Sequence, residues 1–145
     1  MTDIQQMIMQ QEGTGPTKGG VFFPYQDTQG FVTIGYGRCL DKKGLSATEA
    51  LFLLNGDIAD AVEDVQHCCS VYDQISRPRQ LAMVSLAYNL GREGLAGFVH
   101  FLNYVHQGDW ENATLELLDS KAAKQDPQRY RQLARMVREN VSEWV

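Results

Sequence analysis

The sequence has no long hydrophobic run and only three cysteines, which argues against a membrane-spanning protein and against a zinc site built on cysteines. Its apolar stretches, such as residues 50–54, are far shorter than the roughly 20 residues that a membrane-spanning helix requires. Cys39 stands alone and Cys68 and Cys69 are adjacent, so the sequence contains no Cys-x-x-Cys pair or Cys/His cluster with the spacing of a zinc site. We therefore expect reduced thiols, no metal, no cofactor and no stable association with a membrane.

Positive charge is also in short supply. The chain carries 13 Lys and Arg residues against 18 Asp and Glu residues, which gives a net charge of -5. An acidic chain argues against nucleic acid as a partner, because such binding depends on neutralising phosphates. The basic stretch at residues 121–138 is the exception, and it is either a solvated helix face or a local contact for an anionic ligand.

The length and the N-terminal residues predict the number of domains and the compartment of synthesis. Its 145 residues indicate a single domain, which we expect to be a monomer. The first residues lack the basic and apolar regions of a secretory signal, so synthesis in a cytoplasm is expected. We find no internal repeat or low-complexity stretch that would divide the domain.

The predicted secondary structure changes along the chain from a short helix to strands and then to further helices. Residues 3–11 predict a short helix that begins at Thr2 or Asp3. Residues 13–45 alternate glycines with β-forming residues and predict a small antiparallel sheet, with a hairpin turn at residues 27–30. Further helices are predicted at residues 46–66, where a capping box opens a long amphipathic helix, and at residues 79–90, 98–106, 110–118 and 128–138.

This order of elements predicts an α+β fold. We expect a small N-terminal β lobe at about residues 13–45 and a long interlobe helix at about residues 46–66. The larger lobe is expected to be all-helical, over about residues 67–145 together with the N-terminal helix at residues 3–11.

Three polar side chains in the N-terminal third are candidates for chemistry. Glu12 closes the first helix, Asp27 lies in the predicted hairpin turn, and Thr33 follows in a strand. A protonated carboxyl group and an ionised carboxylate are the pair that hydrolysis of a glycosidic bond requires. Taken singly, each is ordinary, since a glutamate at a helix end is mostly a surface residue and an aspartate before Thr-x-Gly commonly forms an Asx turn.

The segment that contains these three residues indicates a protein family more specifically than any of the three residues does alone. The letters QEG at 11–13 are followed by YQDTQGFVTIGYG at 25–37, and this segment resembles the catalytic segment of the T-even phage lysozymes. That family's motif is Glu-Gly, then Tyr-x-Asp-x-x-Gly-x-x-Thr-Ile-Gly-x-Gly. Similarity continues to residue 129, so the resemblance covers nearly the whole chain. It implies a lysozyme-like fold with an active-site cleft between the two lobes.

The resemblance also implies an activity and the residues that perform it. The family members are muramidases, which hydrolyse the β-1,4 bond between N-acetylmuramic acid and N-acetylglucosamine in bacterial peptidoglycan. By this resemblance Glu12 is the general acid, Asp27 positions the attacking water or steadies the oxocarbenium-like transition state, and Thr33 helps to hold that water. Inversion is implied, with the two carboxylates about 6.5–9.5 Å apart. The acid must keep its proton near neutral pH, which an apolar or anion-flanked environment favours.

The resemblance extends to substrate binding and to the biological role. Tyr88 and Asn89 are candidates for sugar stacking and hydrogen bonding, although Tyr88 is equally compatible with the core. Arg129 is a candidate contact for a peptide carboxylate. The implied partner is the glycan strand of peptidoglycan, reached in the periplasm once the membrane has been permeabilised, and the implied outcome is lysis of the host cell.

Three features depart from the family's pattern. Fourteen residues separate Glu12 from Asp27, more than the family has, and residues 14–20 are the expected insertion, which would widen the mouth of the cleft. Arg38 stands where the family often has a histidine, and we expect it to form an ion pair with Asp57. The negative net charge would repel the carboxylates of the stem peptides, an effect that physiological salt limits to about 8 Å.

Two other functions remain open at this point. A lytic transglycosylase needs the acid but no partner that holds water, so the presence of Asp27 and Thr33 favours hydrolysis. A non-catalytic wall-binding virion module on the same fold is the second alternative, because a fold does not dictate a function. The retention of Glu12, Asp27 and Thr33 together argues against it.

Overall fold

Turn-forming residues break the N-terminal third into short elements. The computed structural model describes residues 1–142, which divide into two compact units, Met1–Phe52 and the residues from Leu53 onward. The first unit begins with α1 (Asp3–Glu12). A capping box at Thr2 and Gln5 opens this helix, since the Thr2 hydroxyl accepts from the Gln5 N–H and the Gln5 side chain accepts from the Thr2 N–H.

Two small antiparallel sheets follow α1. β1 (Thr17–Lys18) pairs with β2 (Val21–Phe22), and a second sheet has the order β3 (Tyr25–Gln26), β4 (Val32–Ile34), β5 (Arg38–Cys39). Thr33 lies opposite Tyr25 on one side and Cys39 on the other, so β4 is the central strand. The predicted hairpin turn is present, because the Gly30 N–H donates to the Asp27 carbonyl at 3.0 Å. The short helix α2 (Leu40–Lys43) and the first turns of α3 (Ala47–Cys68) complete this unit.

Helices make up the second unit throughout the part of it that the structure describes. After the remainder of α3 and a 3₁₀ turn at Tyr72–Gln74, it contains α4 (Arg77–Ala96), α5 (Val99–Gln107), α6 (Trp110–Asp119), α7 (Lys121–Gln125) and α8 (Pro127–Glu139). The helices predicted at residues 79–90 and 98–106 end close to the expected positions, since Gly91 interrupts α4 with φ +71° and Gly108 ends α5 in the left-handed region. The predicted α+β class, with a small N-terminal sheet and a larger helical part, is therefore confirmed.

The core of the second unit is formed by the apolar faces of its helices. α6 packs against both α5 and α8, and α8 packs against α4 and α7. The largest fully buried side chains are Tyr130, Phe101, Met83, Leu86, Leu95 and Leu117. The helix predicted at residues 79–90 lies within α4 and supplies Met83 and Leu86 to this core.

Three general properties accompany this fold. Among the described residues, no helix is both long enough and apolar enough to cross a membrane. Within residues 1–142, no group of three or more His, Cys, Asp or Glu side chains is placed to hold a metal ion. The three cysteines are free thiols, and burial raises the pKa of the Cys69 thiol.

Candidate active site

The carboxylate of Glu12 lies against the backbone of the turn between β4 and β5. Glu12 is the last residue of α1, and a methyl group added at Gly37 would stand 2.8 Å from its Oε2 atom and 3.4 Å from its carboxyl carbon. The turn also holds Gly37 at φ +81°, a conformation that glycine adopts without steric cost. α1 therefore places an exposed carboxylate next to Gly37, immediately before β5, where the backbone has a φ that residues other than glycine rarely adopt.

Asp27 is fixed by the turn at the other end of β4. Its Oδ1 atom accepts hydrogen bonds from the backbone N–H groups of Gln29, at 2.8 Å, and Phe31, at 2.9 Å. This is the Asx-turn arrangement that an aspartate in this position commonly adopts. No described residue donates to Oδ2, so one oxygen orients the side chain while the other is available to a ligand.

Thr33 lies on β4 between these two turns. Its side chain is buried, with 3% of its surface exposed, and its hydroxyl donates to the Phe31 carbonyl at 3.1 Å. A hydroxyl that donates to the backbone still has lone pairs, so Thr33 is able to hold a water only by accepting a hydrogen from it.

The central strand sets the spacing of the three candidate catalytic residues. β4 is three residues long, which corresponds to about 10 Å at the rise of an extended chain. The turn that holds Asp27 precedes β4, and the turn against which Glu12 lies follows it. The carboxyl separation of about 6.5–9.5 Å that inversion requires stays a prediction for this pair.

Two further side chains hold the same sheet in place, and the sequence analysis did not predict either of them. Asp41 Oδ2, at the start of α2, accepts from the Val32 N–H at 2.7 Å. The Lys42 ammonium lies 4.0 Å from the centre of the Phe31 ring, a cation–π distance. α2 thus braces the first residues of β4, and its four-residue length explains why periodicity did not reveal it.

The expected ion pair between Arg38 and Asp57 is wrong. The Arg38 guanidinium instead binds both carboxylate oxygens of Glu49, at 2.7 and 2.6 Å, and also donates to the Gly44 carbonyl. Glu49 is the capping-box residue in the first turn of α3, whereas Asp57 is eight residues further along, about 12 Å on an ideal helix. Hydrogen bonds from Arg38, followed by those from Ser46, lower the pKa of Glu49 to about 2.

The second unit contains the three candidate substrate-binding residues. Tyr88 is 49% exposed, which excludes the core position considered from the sequence. It borders a groove of about 310 Å³ together with Arg129 and the apolar side chains of Leu54, Ile58, Leu81 and Val84. Asn89 is exposed, and its Oδ1 atom accepts from the Tyr130 hydroxyl at 3.3 Å, which leaves its amide N–H groups as donors.

Arg129 is held next to this groove by its own helix. Its guanidinium lies 3.4 Å from Asp126 Oδ2, and Asp126 also caps α8 by accepting from the Arg129 N–H. An exposed ion pair of this kind contributes little to stability. The Arg129 side chain therefore remains able to exchange Asp126 for the carboxylate of a ligand.

The chain is similar to known proteins over most of its length. Residues 17–139 match the phage lysozyme family, a range that includes five of the six candidate site residues and begins after Glu12. The chain is 22% identical over 135 residues to the probable T4-type lysozyme 2 of Dictyostelium discoideum, covering 72% of this chain and 79% of that protein.

A larger protein also shares this region. The chain is 27% identical over 117 residues to the pre-baseplate central spike protein Gp5 of Enterobacteria phage T4, covering 61% of this chain and 20% of that protein. This chain therefore corresponds to about a fifth of the length of the spike protein. Because the family match spans most of the chain and the α+β fold agrees with it, this protein belongs to the phage lysozyme family.

Proposed function

We propose that this protein is a muramidase that hydrolyses the β-1,4 bond between N-acetylmuramic acid and N-acetylglucosamine in peptidoglycan, with inversion at the anomeric carbon. The observation that carries the proposal is the placement of two carboxylates at the turns on either side of one short strand. The Glu12 carboxyl group, when protonated, transfers its proton to the leaving glycosidic oxygen. A water molecule attacks the anomeric carbon from the opposite face and gives a proton to Asp27.

The geometry of Asp27 supports its role toward water. Two backbone N–H groups hold Oδ1, so the plane of the carboxylate is defined before any substrate binds. Oδ2 has no donor among the described residues and is the atom that would accept the proton of the water. Preorganisation of this kind lowers the barrier, because no reorientation is needed as charge develops.

Because Glu12 is exposed, a bound substrate is needed to exclude water from its carboxyl group. Exclusion of water by a bound ligand favours the protonated form of a carboxyl group. We propose that the glycan itself covers Glu12 and supplies the dry surroundings. Tyr88, Asn89 and Arg129 would bind further parts of the polymer, through ring stacking, amide donation and a stem-peptide carboxylate.

Replacement of Glu12 by glutamine tests the acid. General acid catalysis contributes about 10²–10⁴-fold, so Glu12→Gln is expected to reduce kcat by that factor with little change in melting temperature. Asp3→Asn is the matched control, since it removes one carboxylate from the other end of the same helix. Lysis of chloroform-treated Gram-negative cells at the wild-type rate by Glu12→Gln would show that the acid is another residue.

Product analysis separates hydrolysis from the transglycosylase reaction. A hydrolase releases a reducing muramic acid end, and inversion places its new hydroxyl in the α configuration when the product is observed before mutarotation. We expect this product by NMR of freshly cleaved glycan chains. A 1,6-anhydromuramic end would establish a lytic transglycosylase. A β anomer would contradict inversion but would still be the product of hydrolysis.

The first expected role is lysis of the host cell from within. One comparison favours a second role, penetration of the cell wall by a component of the phage particle. The similarity to a phage spike protein indicates that a related domain occurs in a protein named as part of a particle. If this chain serves wall penetration, it should be detected by mass spectrometry in purified particles. Its presence in the lysate and its absence from particles would support the lysis role.

A further inference from the structure

The β1–β2 hairpin lies between the Glu-Gly pair and the Tyr-x-Asp segment of the family's motif. Its two strands form a sheet of their own, and the Phe23 N–H closes the hairpin by donating to the Pro16 carbonyl at 3.0 Å. It lies between Glu12 and Asp27 and overlaps residues 14–20, where an insertion is predicted from the sequence. Four residues of the chain separate the hairpin from Glu12 on one side and from Asp27 on the other.

Two contacts dock this hairpin against the larger sheet. The Phe22 ring meets the Tyr36 ring edge to face, with centroids 5.4 Å apart and planes inclined by 61°. At the base of the hairpin, Gly15 lies so close to the Tyr25 ring that a methyl group there would stand 2.4 Å from its Cε1 atom. Edge-to-face aromatic pairs are favourable beyond the area that they bury, so the hairpin has a preferred position on Tyr36.

Tyr36 is the middle residue of the turn on which Glu12 rests. Its neighbours Gly35 and Gly37 have φ values of +62° and +81°, and a turn built on two such glycines has little intrinsic preference for one conformation. Tyr36 also borders a depression of about 660 Å³ formed with Ile4, Ile8 and other residues of α1. A contact that fixes the Tyr36 ring therefore restricts the turn that carries Gly37.

We propose that the β1–β2 hairpin positions the general acid, with Phe22 holding Tyr36 so that Gly37 presents a fixed surface to the Glu12 carboxylate. This inference rests on the proposed function, because it concerns the geometry of the acid in that reaction. Phe22 and Tyr36 are positioning residues and touch no reacting atom. Misplacement of a catalytic group by about 1 Å can cost about a hundredfold in rate, so a loosened turn is expected to reduce kcat measurably.

A pair of neighbouring phenylalanines gives a matched test. Phe22→Ala removes the ring that meets Tyr36, whereas Phe23→Ala removes a 45% exposed ring from the same hairpin. We expect kcat to fall about tenfold in Phe22→Ala with KM nearly unchanged, and to stay within about twofold of wild type in Phe23→Ala. Phe22→Tyr keeps the ring and is expected to restore kcat. Equal rates in Phe22→Ala and Phe23→Ala would overturn the proposal.

A second pair of variants tests the surface at Gly37 itself. Gly37→Ala adds a methyl group 2.8 Å from Glu12 Oε2, whereas Gly108→Ala adds one in open space at a similar φ of +70°. Both positions have a positive φ, so both variants carry backbone strain, and only Gly37→Ala also displaces the Glu12 carboxylate. We expect about a hundredfold loss of kcat in Gly37→Ala and near wild-type kcat in Gly108→Ala. Equal kcat in these two variants would contradict the role of Gly37.

A readout without substrate separates this inference from the proposed function. In protein labelled with ¹³C at glutamate carboxyl carbons, the Glu12 resonance is assigned as the one missing in Glu12→Gln. We expect the chemical shift of this resonance, at one fixed pH, to change in Phe22→Ala and not in Phe23→Ala. If the variants show this pattern but the wild type does not cleave peptidoglycan, only the proposed function fails. If the wild type cleaves peptidoglycan and the Glu12 resonance has the same chemical shift in both variants, the hairpin inference fails and the muramidase stands.

Discussion

Asp27 has a role in the turn and a proposed role in catalysis, and two substitutions separate them. Asp27→Asn keeps a carbonyl oxygen in the place of Oδ1, so the hydrogen bonds from the Gln29 and Phe31 N–H groups can persist. The amide lacks the charge and the basicity that a proton acceptor for water needs. We expect Asp27→Asn to melt like the wild type and to lose about 10²–10⁴-fold in kcat.

Asp27→Ala removes both roles, and the structure indicates the cost to stability. Hydrogen bonds to a charged group contribute about 1.5–3 kcal/mol each, and less where water replaces them. The bond from Phe31 is partly buried and that from Gln29 is exposed, so their combined loss is about 2–4 kcal/mol. In a chain of this length each kcal/mol lowers the melting temperature by about 2–4 °C, which gives a decrease of roughly 4–16 °C.

Two measurements on the same preparations check this reasoning. Thermal unfolding followed by circular dichroism reports the turn, and turbidity loss of chloroform-treated Gram-negative cells reports the reaction. Wild-type activity in Asp27→Asn would refute the catalytic role of Asp27. Equal melting temperatures in Asp27→Asn and Asp27→Ala would refute the structural argument, because only the alanine variant loses the acceptor.

Two further predictions concern stability. Arg38 and Ser46 lower the pKa of Glu49 from 4.5 to about 2, so Glu49 stabilises the folded state above pH 4.5 and loses that contribution as the pH falls toward 2. Glu49→Gln should therefore flatten the dependence of melting temperature on pH in that interval, and an unchanged dependence would contradict the pairing. Phe101→Ala, at a side chain with 1% exposure, should reduce the free energy of unfolding by about 3–5 kcal/mol in denaturant titrations. Val99→Ala, at an exposed position on the same helix, should change it by less than about 0.5 kcal/mol, and similar losses in both would refute the assigned core.

The helices of the second unit were predictable because their signals are local. Asp109 and Asp126 cap α6 and α8 through hydrogen bonds to N–H groups three residues away, and Gly108 ends α5 within one turn. Interactions over three or four residues depend on the sequence alone, so their positions agree with the prediction. α7 was not predicted from the sequence because its five residues are too few to show a periodic apolar face.

The amino-acid sequence by itself determined the α+β class, the helix ends and the family, because caps, periodicity and a motif of adjacent residues need no long-range contact. Tertiary structure alone decided which partners meet across the chain. It paired Arg38 with Glu49 instead of Asp57, placed Phe22 against Tyr36, and put the Glu12 carboxylate on Gly37. Such contacts depend on how turns and strands fold back in space, and no spacing along the chain specifies them.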